Sequence, residues 1–557
     1  MIQPDSNGLY HPANEDEIIE LVQYARLNRL EVRVRGAAQS VRNSIFADGY
    51  KGNNPTATVN INIMLDQMRV VTFTDNAPIV VVQAGCNLGF DPFDPSNTST
   101  ETNGLYFQLL NKGLAIPNVS DAIHQTVGGY MSTSSSGGTM THSFLDAILS
   151  IRMIDGTGNL RVFNRPIPDN PDSDFYAAGV SLGLLGIITE VTLQCIPSFN
   201  VIGQQAITPD TATSFDFFGA GSSSKPSLEN YLATTEFTRL IWWPFPSVKR
   251  VFTWQARTMQ ASDYNNQTGT PTDFHPQPYR DAFYPSILPQ GLPAIPKEIV
   301  ETATELIVSA LFTAIGTWPK VLTDLLGNKT VIDGKEIDTS ILVNTVELAW
   351  PILLPHILNV FAPCDGNNPP QKFWDNWVSG LANDTNEYSN NLLPSHRTEF
   401  WIPVEQTSQV MTILQSFYQD VLLPKGDSKN RNYANACYVV EILSAKNNPF
   451  WLSPAYDQDS FRLCIYSLKQ NDEDVRAFFH QFWEYFRTNK ISYRMHWGYY
   501  LPEPASPEAA YNAAHYPRLA QFETLRNNMD PDNIFLTTYW QQQLNIAQPI
   551  PEETWPH

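Results

Sequence analysis

The residues with the clearest chemical capacity form one segment, 126–138, which reads Thr-Val-Gly-Gly-Tyr-Met-Ser-Thr-Ser-Ser-Ser-Gly-Gly. Its adjacent glycines, Gly128 and Gly129, allow a ligand to approach the backbone closely and permit positive φ values. Five serine and threonine hydroxyls follow within seven residues. Backbone N–H groups and hydroxyls gathered in this way can bind an anion such as a pyrophosphate. The alternative interpretation of the segment is a flexible Gly/Ser linker.

Three further segments favour anion binding over a linker. Residues 35–40, Arg-Gly-Ala-Ala-Gln-Ser, follow an alternating run that is typical of a strand entering a turn. Residues 113–118, which end in Pro117 and Asn118, lie just upstream of the glycine pair. Residues 181–193 are typical of a glycine turn that leads into a β-branched strand.

In their order and spacing, these four segments resemble the FAD-binding domain of the vanillyl-alcohol oxidase superfamily of flavoproteins. Near the C-terminus, His496-Trp497-Gly498 and the segment 530–535 resemble the sugar-lactone oxidase, alditol oxidase and cholesterol oxidase branch. The resemblance implies an α+β fold of two domains. It implies an FAD-binding domain over residues 1–200 and a substrate-binding domain over 201–495, with an antiparallel sheet flanked by helices. The segment 496–557 is then expected to return to the FAD-binding domain.

The resemblance also implies how FAD is held. The turn at 35–40 would cradle the pyrophosphate from one side and the glycine and serine segment from the other, while Ile188 would pair its backbone with adenine. The histidine that many relatives bond covalently to the flavin is replaced here by Gln39, whose amide is no nucleophile, so FAD is expected to bind non-covalently. The implied FAD-binding residues are Arg35, Gly36, Ala37, Ala38, Gln39, Ser40, Pro117, Thr126, Gly128, Gly129, Ser132, Thr133, Ser136, His142, Gly186 and Ile188.

The expected reaction is removal of a hydride from a CH–OH group, which also requires a base for the hydroxyl proton. Alditol and sterol oxidases use a Glu-x-Arg pair on a strand; here Glu441 matches the carboxylate and Leu443 stands at the arginine position. His496 is interpreted as a proton acceptor or hydrogen-bond donor, because the pKa of histidine lies near neutrality. Tyr499 stands where sugar-lactone oxidases have a lysine. The alternatives are that Glu441 is an exposed strand residue and His496 a core residue.

The missing arginine and lysine predict a weakly charged pocket. Together with the apolar run at 306–318 and the aromatic richness of the middle domain, this favours a small, largely apolar or aromatic alcohol as substrate. O2 is the expected electron acceptor, with H2O2 as the product. Three alternatives stay open: a dehydrogenase that uses another acceptor, a biosynthetic oxidative cyclase, and an FAD-binding protein without turnover.

The elements that must position these residues follow from sequence periodicity. Apolar spacing predicts a helix over 15–27 with Asn14 as its N-cap, and a β-branched run predicts a strand over 147–154 that ends in a turn at 155–158. Amphipathic spacing predicts helices over 406–422 and 473–487.

Composition excludes several classes of partner. The net charge of −21 disfavours nucleic acid and anionic lipid. The five cysteines form no C-x-x-C pair, so neither a zinc site nor a redox pair is expected. The longest uncharged apolar run, 306–318, is shorter than the ~20 residues of a membrane span. With no visible signal peptide, the expected location is the cytoplasm; composition leaves the oligomeric state open.

Overall fold

The computed structural model describes residues 2–52, 60–75, 77–120, 122–244, 248–264, 275–276, 329–332, 335–338, 364, 370–381, 395–422, 439–468 and 475–546. The apolar run at 306–318 and Cys437 lie outside the described residues. No helix in the described ranges is both long and apolar enough to cross a membrane. The same ranges contain no group of His, Cys, Asp or Glu side chains placed to hold a metal ion.

The N-terminal part combines a helix with a small parallel sheet. The helix Glu15–Asn28 begins where the Asn14 side chain accepts a hydrogen bond from the N–H of Glu17 at 3.0 Å, which confirms the predicted cap. Its buried face carries Ile18 and Leu21 among other apolar residues. Beside it, three strands pair in parallel in the order β1-β3-β2. These strands are β1 (Leu9–Tyr10), β2 (Val32–Arg35) and β3 (Ile61–Met64).

A five-stranded antiparallel sheet follows, in the order β4-β5-β9-β7-β8. The strands are β4 (Val71–Phe73), β5 (Ile79–Gln83), β7 (Ile148–Asp155), β8 (Leu160–Asn164) and β9 (Gly186–Gln194). The predicted turn after β7 is present, because the Asp155 carboxylate accepts the N–H groups of Thr157 and Asn159, each at 2.9 Å. Two short strands, β6 (Leu114–Ala115) and β10 (Ile196–Pro197), pair separately.

The largest sheet has nine strands in the order β14-β17-β11-β13-β12-β19-β20-β18-β21. Its pairs are antiparallel except β14 with β17. The strands are β11 (Asn200–Pro209), β12 (Phe237–Trp243), β13 (Arg250–Thr258), β14 (His275–Pro276), β17 (Gln371–Asn376), β18 (Ser395–Pro403), β19 (Val440–Ala445), β20 (Ser460–Leu468) and β21 (Arg494–Met495). A separate hairpin joins β15 (Lys329–Ile332) to β16 (Lys335–Asp338).

Helices pack beside these sheets, so the fold is α+β as predicted. The helix predicted over 406–422 is α-helical at Thr407–Ser416 and continues as a π-helix at Phe417–Leu422. The helix predicted over 473–487 is described from Val475 to Thr488. The other α-helices are Arg42–Ile45, Leu105–Asn111, Val127–Ser132, Phe175–Gly179, Leu228–Thr234, Trp377–Leu381, Pro507–Ala514, Leu519–Met529 and Thr538–Gln543.

The end of the described chain returns to its beginning. The N–H of Val32 in β2 donates to the carbonyl of Ile534 at 2.7 Å. The indole N–H of Trp540 donates to the carbonyl of Ser44 at 2.9 Å. Asp530 fixes the turn over residues 530–535, because its carboxylate accepts hydrogen bonds from the N–H groups of Ile534 and Phe535.

Candidate functional site

One elongated cavity lies where β2, the helix Val127–Ser132, the start of β9 and the C-terminal segment meet. The empty space between its walls is about 1250 Å³, including the part that is open to solvent. Its wall joins residues 32–40 to residues 496–499. The contact between these two segments is close, because the N–H of Val41 donates to the carbonyl of Gly498 at 2.8 Å. Residues about 460 positions apart in the sequence therefore share one wall.

The predicted phosphate-binding segment opens with a short helix rather than a loop. Thr126 is its N-cap, and its hydroxyl accepts from the N–H of Gly129 at 3.3 Å. Neither glycine has a positive φ. Their missing side chains therefore serve to let neighbouring groups approach the backbone closely, and not to allow an unusual backbone conformation. A Cβ on Gly128 would meet Ala84 at 3.1 Å, whereas a Cβ on Gly129 would have only the Thr126 hydroxyl within 4 Å. Gly129 therefore faces the open cavity.

The turn at 35–40 lies against this helix. A Cβ on Gly36 would stand 2.4 Å from the Thr126 hydroxyl, so the two segments touch only because residue 36 has no side chain. Ala38 has a φ of 55°, which reverses the chain within the turn. Arg35 is only 8% exposed, and its Nε has no hydrogen-bond partner among the described residues. Arg35 lines the cavity, and the charges of Asp91, Asp94 and Asp66 act on its guanidinium group.

These features fit FAD. An arginine in the wall, a glycine open to the cavity and hydroxyl donors suit a pyrophosphate, which is anionic and accepts many hydrogen bonds. Apolar and aromatic side chains in the same wall suit the two ring systems; they include Ile187, Ile188, Trp497 and Trp540.

The structure gathers most of the predicted FAD-binding residues in this wall. Those that line the cavity are Arg35, Gly36, Ala37, Ala38, Gln39, Ser40, Thr126, Gly128, Gly129, Ser132, Thr133, Gly186 and Ile188. The sequence interpretation missed Arg33, Gln125, Ser135, Leu182, Gly183, Trp497, Phe535 and Trp540, among others. Gln125 and Ser135 adjoin predicted positions, but the side that each neighbour faces depends on backbone direction, which the sequence pattern does not reveal.

Three predicted residues lie outside the wall. Ser136 turns away and accepts a hydrogen bond from Asn118 at 3.1 Å. Pro117 precedes that buried asparagine and does not reach the cavity. His142 lies 3.1 Å from a carboxylate oxygen of Glu236, in a separate surface contact. These three residues therefore do not line the cavity.

His496 and Tyr499 both line the cavity. Their rings stack with centroids 4.5 Å apart. The Nδ1 atom of His496 accepts from the N–H of Gly498 at 3.1 Å. Burial, with a smaller effect of the Arg462 charge, outweighs the opposing charge of Glu399 and lowers the pKa of His496 to about 4. At neutral pH His496 is therefore uncharged, and its proton is on Nε2, which makes the side chain a hydrogen-bond donor rather than a strong base.

Glu441 is buried in the nine-stranded sheet and does not line the cavity. Its carboxylate accepts from Arg239 Nε at 2.7 Å and from the Tyr466 hydroxyl at 2.6 Å. Burial opposes ionisation, but the charges of Arg239 and Arg397 and the Tyr466 hydrogen bond outweigh it and lower the pKa of Glu441. Glu441 is therefore a buried carboxylate held ionised, and not an exposed strand residue.

The site is more charged than the sequence predicted. Directly opposite Leu443, on the neighbouring strand, is Arg462. Arg462 donates to Glu399 at 2.8 Å and to the Ser136 carbonyl at 2.7 Å. Arg397, on β18, lies over the ring of Tyr499 at 5.9 Å from its centroid. Strand pairing thus supplies guanidinium groups that the local motif lacks, and the expectation of a weakly charged pocket is wrong.

Comparison with known proteins agrees with this architecture. The family model described as D-arabinono-1,4-lactone oxidase matches residues 342–543. A putative D-arabinono-1,4-lactone oxidase of Neurospora crassa is 29% identical over 254 residues, which cover 45% of this chain and 38% of that protein. L-gulonolactone oxidase of Mus musculus is 28% identical over 242 residues, which cover 42% and 45%. The chain thus spans less than half the length of these relatives.

Solved structures show the same fold over nearly the whole chain. The cholesterol oxidase of B. sterolicum aligns with a TM-score of 0.65 at 13% identity, covering 96% of this chain and 93% of that one. A solvent-stable cholesterol oxidase aligns with a TM-score of 0.59 at 16% identity, covering 98% and 97%.

The cavity and the fold agree with the resemblance of the sequence motifs to FAD-binding oxidoreductases of the vanillyl-alcohol oxidase superfamily. FAD is the cofactor that the cavity fits. The family model and the relatives that match this chain are named for the oxidation of sugar lactones.

Proposed function

We propose that the protein oxidises a CH–OH group of a polyhydroxylated substrate of the sugar-lactone type, with O2 as the electron acceptor. The observation that carries the proposal is one cavity in which the phosphate-binding segment and the His496–Tyr499 pair share a wall. The related proteins are named for aldonolactone oxidation. The buried arginines nearby suit hydroxyl-rich ligands better than an apolar alcohol.

The residues of the wall would divide the work of holding FAD. Arg35 and the open backbone at Gly129 would hold the pyrophosphate, and the strand start at Ile188 would hold the adenine. Gln39 would contact the flavin without a covalent bond. FAD, when bound, supplies a two-electron acceptor for the hydride.

The polar residues near the cavity would handle the proton of the substrate hydroxyl. His496, neutral and protonated on Nε2, would donate a hydrogen bond where negative charge develops. Tyr499 stays a neutral donor, because burial raises its pKa. Glu441, ionised and accepting a hydrogen bond from the Tyr466 hydroxyl at 2.6 Å, would accept the proton through Tyr466.

Anaerobic flavin reduction tests the proposal. The FAD-loaded protein is mixed with aldonolactones, alditols and aromatic alcohols, flavin bleaching is recorded, and air is then admitted. Bleaching by a polyhydroxylated compound and recovery in air is the expected result. Bleaching without recovery would indicate a dehydrogenase, and bleaching by aromatic alcohols alone would contradict the proposed substrate class. No bleaching by any compound would favour an FAD-binding protein without turnover.

Two variants test the residue roles. Glu441→Gln and His496→Ala should each slow flavin reduction about 100-fold while FAD stays bound, the scale of losing an acid or base. Glu503→Gln is the matched control, since Glu503 pairs with Arg476 at the surface and does not line the cavity. Wild-type rates in both variants would remove these residues from the mechanism.

A further inference from the structure

A second cavity adjoins the FAD cavity and shares part of its wall. Both are lined by Arg35, by Tyr499 and by the turn at 37–40. Arg397 lines the second cavity but not the first. Since Gln39 in the shared turn would contact the flavin, the second cavity offers the space beside the flavin that a substrate would occupy.

Of the two arginines that strand pairing brings near Leu443 and Tyr499, Arg462 is already fully engaged. Its Nε donates to Glu399 at 2.8 Å and its Nη1 to the Ser136 carbonyl at 2.7 Å. Its guanidinium group also lies over the ring of Trp401, 4.5 Å from the centroid. Arg462 lines neither cavity, so its role is to join β20 to the glycine and serine segment.

Arg397, in contrast, is held by ring contacts that leave its donors available. Its guanidinium group lies over the ring of Tyr466 at 4.8 Å and over the ring of Tyr499 at 5.9 Å from the centroids. Among the described residues, its N–H groups have no hydrogen-bond partner, and the carboxylate of Glu441 is bound by Arg239 at 2.7 Å instead. Stacking of this kind fixes the plane of a guanidinium group while its N–H groups can still bind a ligand.

The arginines of the second cavity are accompanied by carboxylates outside its lining. The charge of Glu441 acts on Arg397. Three aspartates act on Arg35 through their charges, namely Asp91, Asp94 and Asp66. Because these carboxylates offset part of the positive charge, a ligand needs no negative charge of its own to bind here. The site offers hydrogen-bond donors that suit a neutral oxygen acceptor.

We propose that Arg397 recognises the substrate by donating hydrogen bonds to the carbonyl oxygen of a lactone, and that it thereby determines specificity for a lactone over the same ring without the carbonyl. A lactone carbonyl is planar and uncharged, and its oxygen can accept two hydrogen bonds, which a guanidinium group can supply from one plane. The inference rests on the proposed oxidation of a sugar lactone. It gives Arg397, on β18, the recognition role that Leu443 cannot fill on β19.

D-arabinono-1,4-lactone and 1,4-anhydro-D-arabinitol test the inference, because the second compound is the same ring with a CH2 group in place of the carbonyl. The FAD of the loaded protein is first reduced in the absence of air, so that neither compound can be oxidised, and each is then titrated by calorimetry. The wild type should bind the lactone about 10- to 100-fold more tightly, the scale of a hydrogen bond to a charged group. Arg397→Met should abolish this preference by weakening lactone binding alone.

Two further variants separate recognition from folding. Arg397→Lys keeps the charge but not the planar pair of donors, so it should retain only part of the preference for the lactone. Arg257→Met is the matched control and should retain all of it, since Arg257 pairs with Asp263 and lines neither cavity.

Equal binding of the two compounds by the wild type would overturn the inference, and so would an equal weakening of both in Arg397→Met. If Arg397→Met does not fold, the wild-type comparison and Arg397→Lys decide the question. The titrations do not depend on turnover, because the FAD is already reduced. A lactone that binds with the expected preference but never bleaches the oxidised flavin would therefore contradict the proposed oxidation and leave the role of Arg397 in recognition standing.

Discussion

Replacing Glu441 with glutamine should destabilise the protein, and the effect should depend on pH. The Glu441 side chain is 9% exposed and that of Arg239 is 13% exposed, so their ion pair is largely shielded from water. Glutamine keeps the shape but removes the charge. Arg239 would then stay buried beside a neutral amide.

The size of the effect follows from the two hydrogen bonds. Hydrogen bonds to a charged group contribute about 1.5–3 kcal/mol each and neutral ones about 0.5–1.5 kcal/mol. Converting both bonds of Glu441 should therefore lower the free energy of unfolding by about 2–3 kcal/mol. Because the m-value grows with protein size and exceeds the roughly 1–3 kcal/mol/M of small proteins, the urea midpoint should fall by less than about 1 M.

The pH dependence follows from the sign of the pKa shift. The folded state lowers the pKa of Glu441 below its ordinary value of 4.5. Its stabilisation is therefore complete above pH 4.5 and is lost as the pH falls through the lower, folded-state pKa. The difference between wild type and Glu441→Gln should be full at pH 7 and shrink below pH 4.5.

Urea unfolding at pH 7 and at pH 3.5, followed by tryptophan fluorescence, measures this difference. Tyr466→Phe and the double variant complete a cycle, which should show positive coupling between Glu441 and Tyr466. Glu503→Gln should cost less than about 1 kcal/mol, as an exposed pair does. A Glu441→Gln variant as stable as wild type at pH 7, or equally destabilised at both pH values, would refute the reasoning.

Other parts of the chain give further predictions. Gly129→Asp should fold but emerge without FAD from a desalting column, because its side chain enters the cavity with only the Thr126 hydroxyl nearby; full FAD occupancy would count against this cavity. Because Gln39 cannot bond the flavin, acid precipitation should release FAD into the supernatant, and flavin in the pellet would disprove that. Burial raises the pKa of Glu31 to about 7, so wild-type stability should fall as the pH rises from 4.5 to 7. Glu31→Gln should accordingly melt at a higher temperature than wild type at pH 8 and at the same temperature at pH 4. Identical melting at pH 8 would show that burial does not disfavour the ionised form of Glu31.

Contiguous features of the fold were predictable from the sequence. The cap at Asn14 and the turn after β7 depend on residues within four positions of each other, so local rules suffice. The segments 35–40 and 126–133 could be recognised because their glycines and hydroxyl groups are visible in the sequence itself. The structure brings both segments into one cavity wall.

Features that depend on strand pairing were not predictable. The arginine missing at Leu443 is present across the ladder at Arg462, because β19 and β20 run antiparallel. Arg397 reaches the site from β18, two strands away from β19. The residue spacing within one strand does not show which residues lie opposite it on the neighbouring strands. The polarity of the site could therefore not be inferred from the local motif.

The shared wall of the FAD cavity also sets a time order during synthesis. Ser40 and Gly498 touch so closely that a Cβ on Gly498 would stand 2.8 Å from the Ser40 hydroxyl. A ribosome adds about 5–20 residues per second, so the turn at 35–40 waits roughly half a minute or more for its partner. A nascent chain can thus form the phosphate-binding segment early, but it cannot close a cofactor site until translation has passed Gly498. Flavin binding is therefore a late event in synthesis. A messenger RNA truncated before the Gly498 codon should yield a colourless protein.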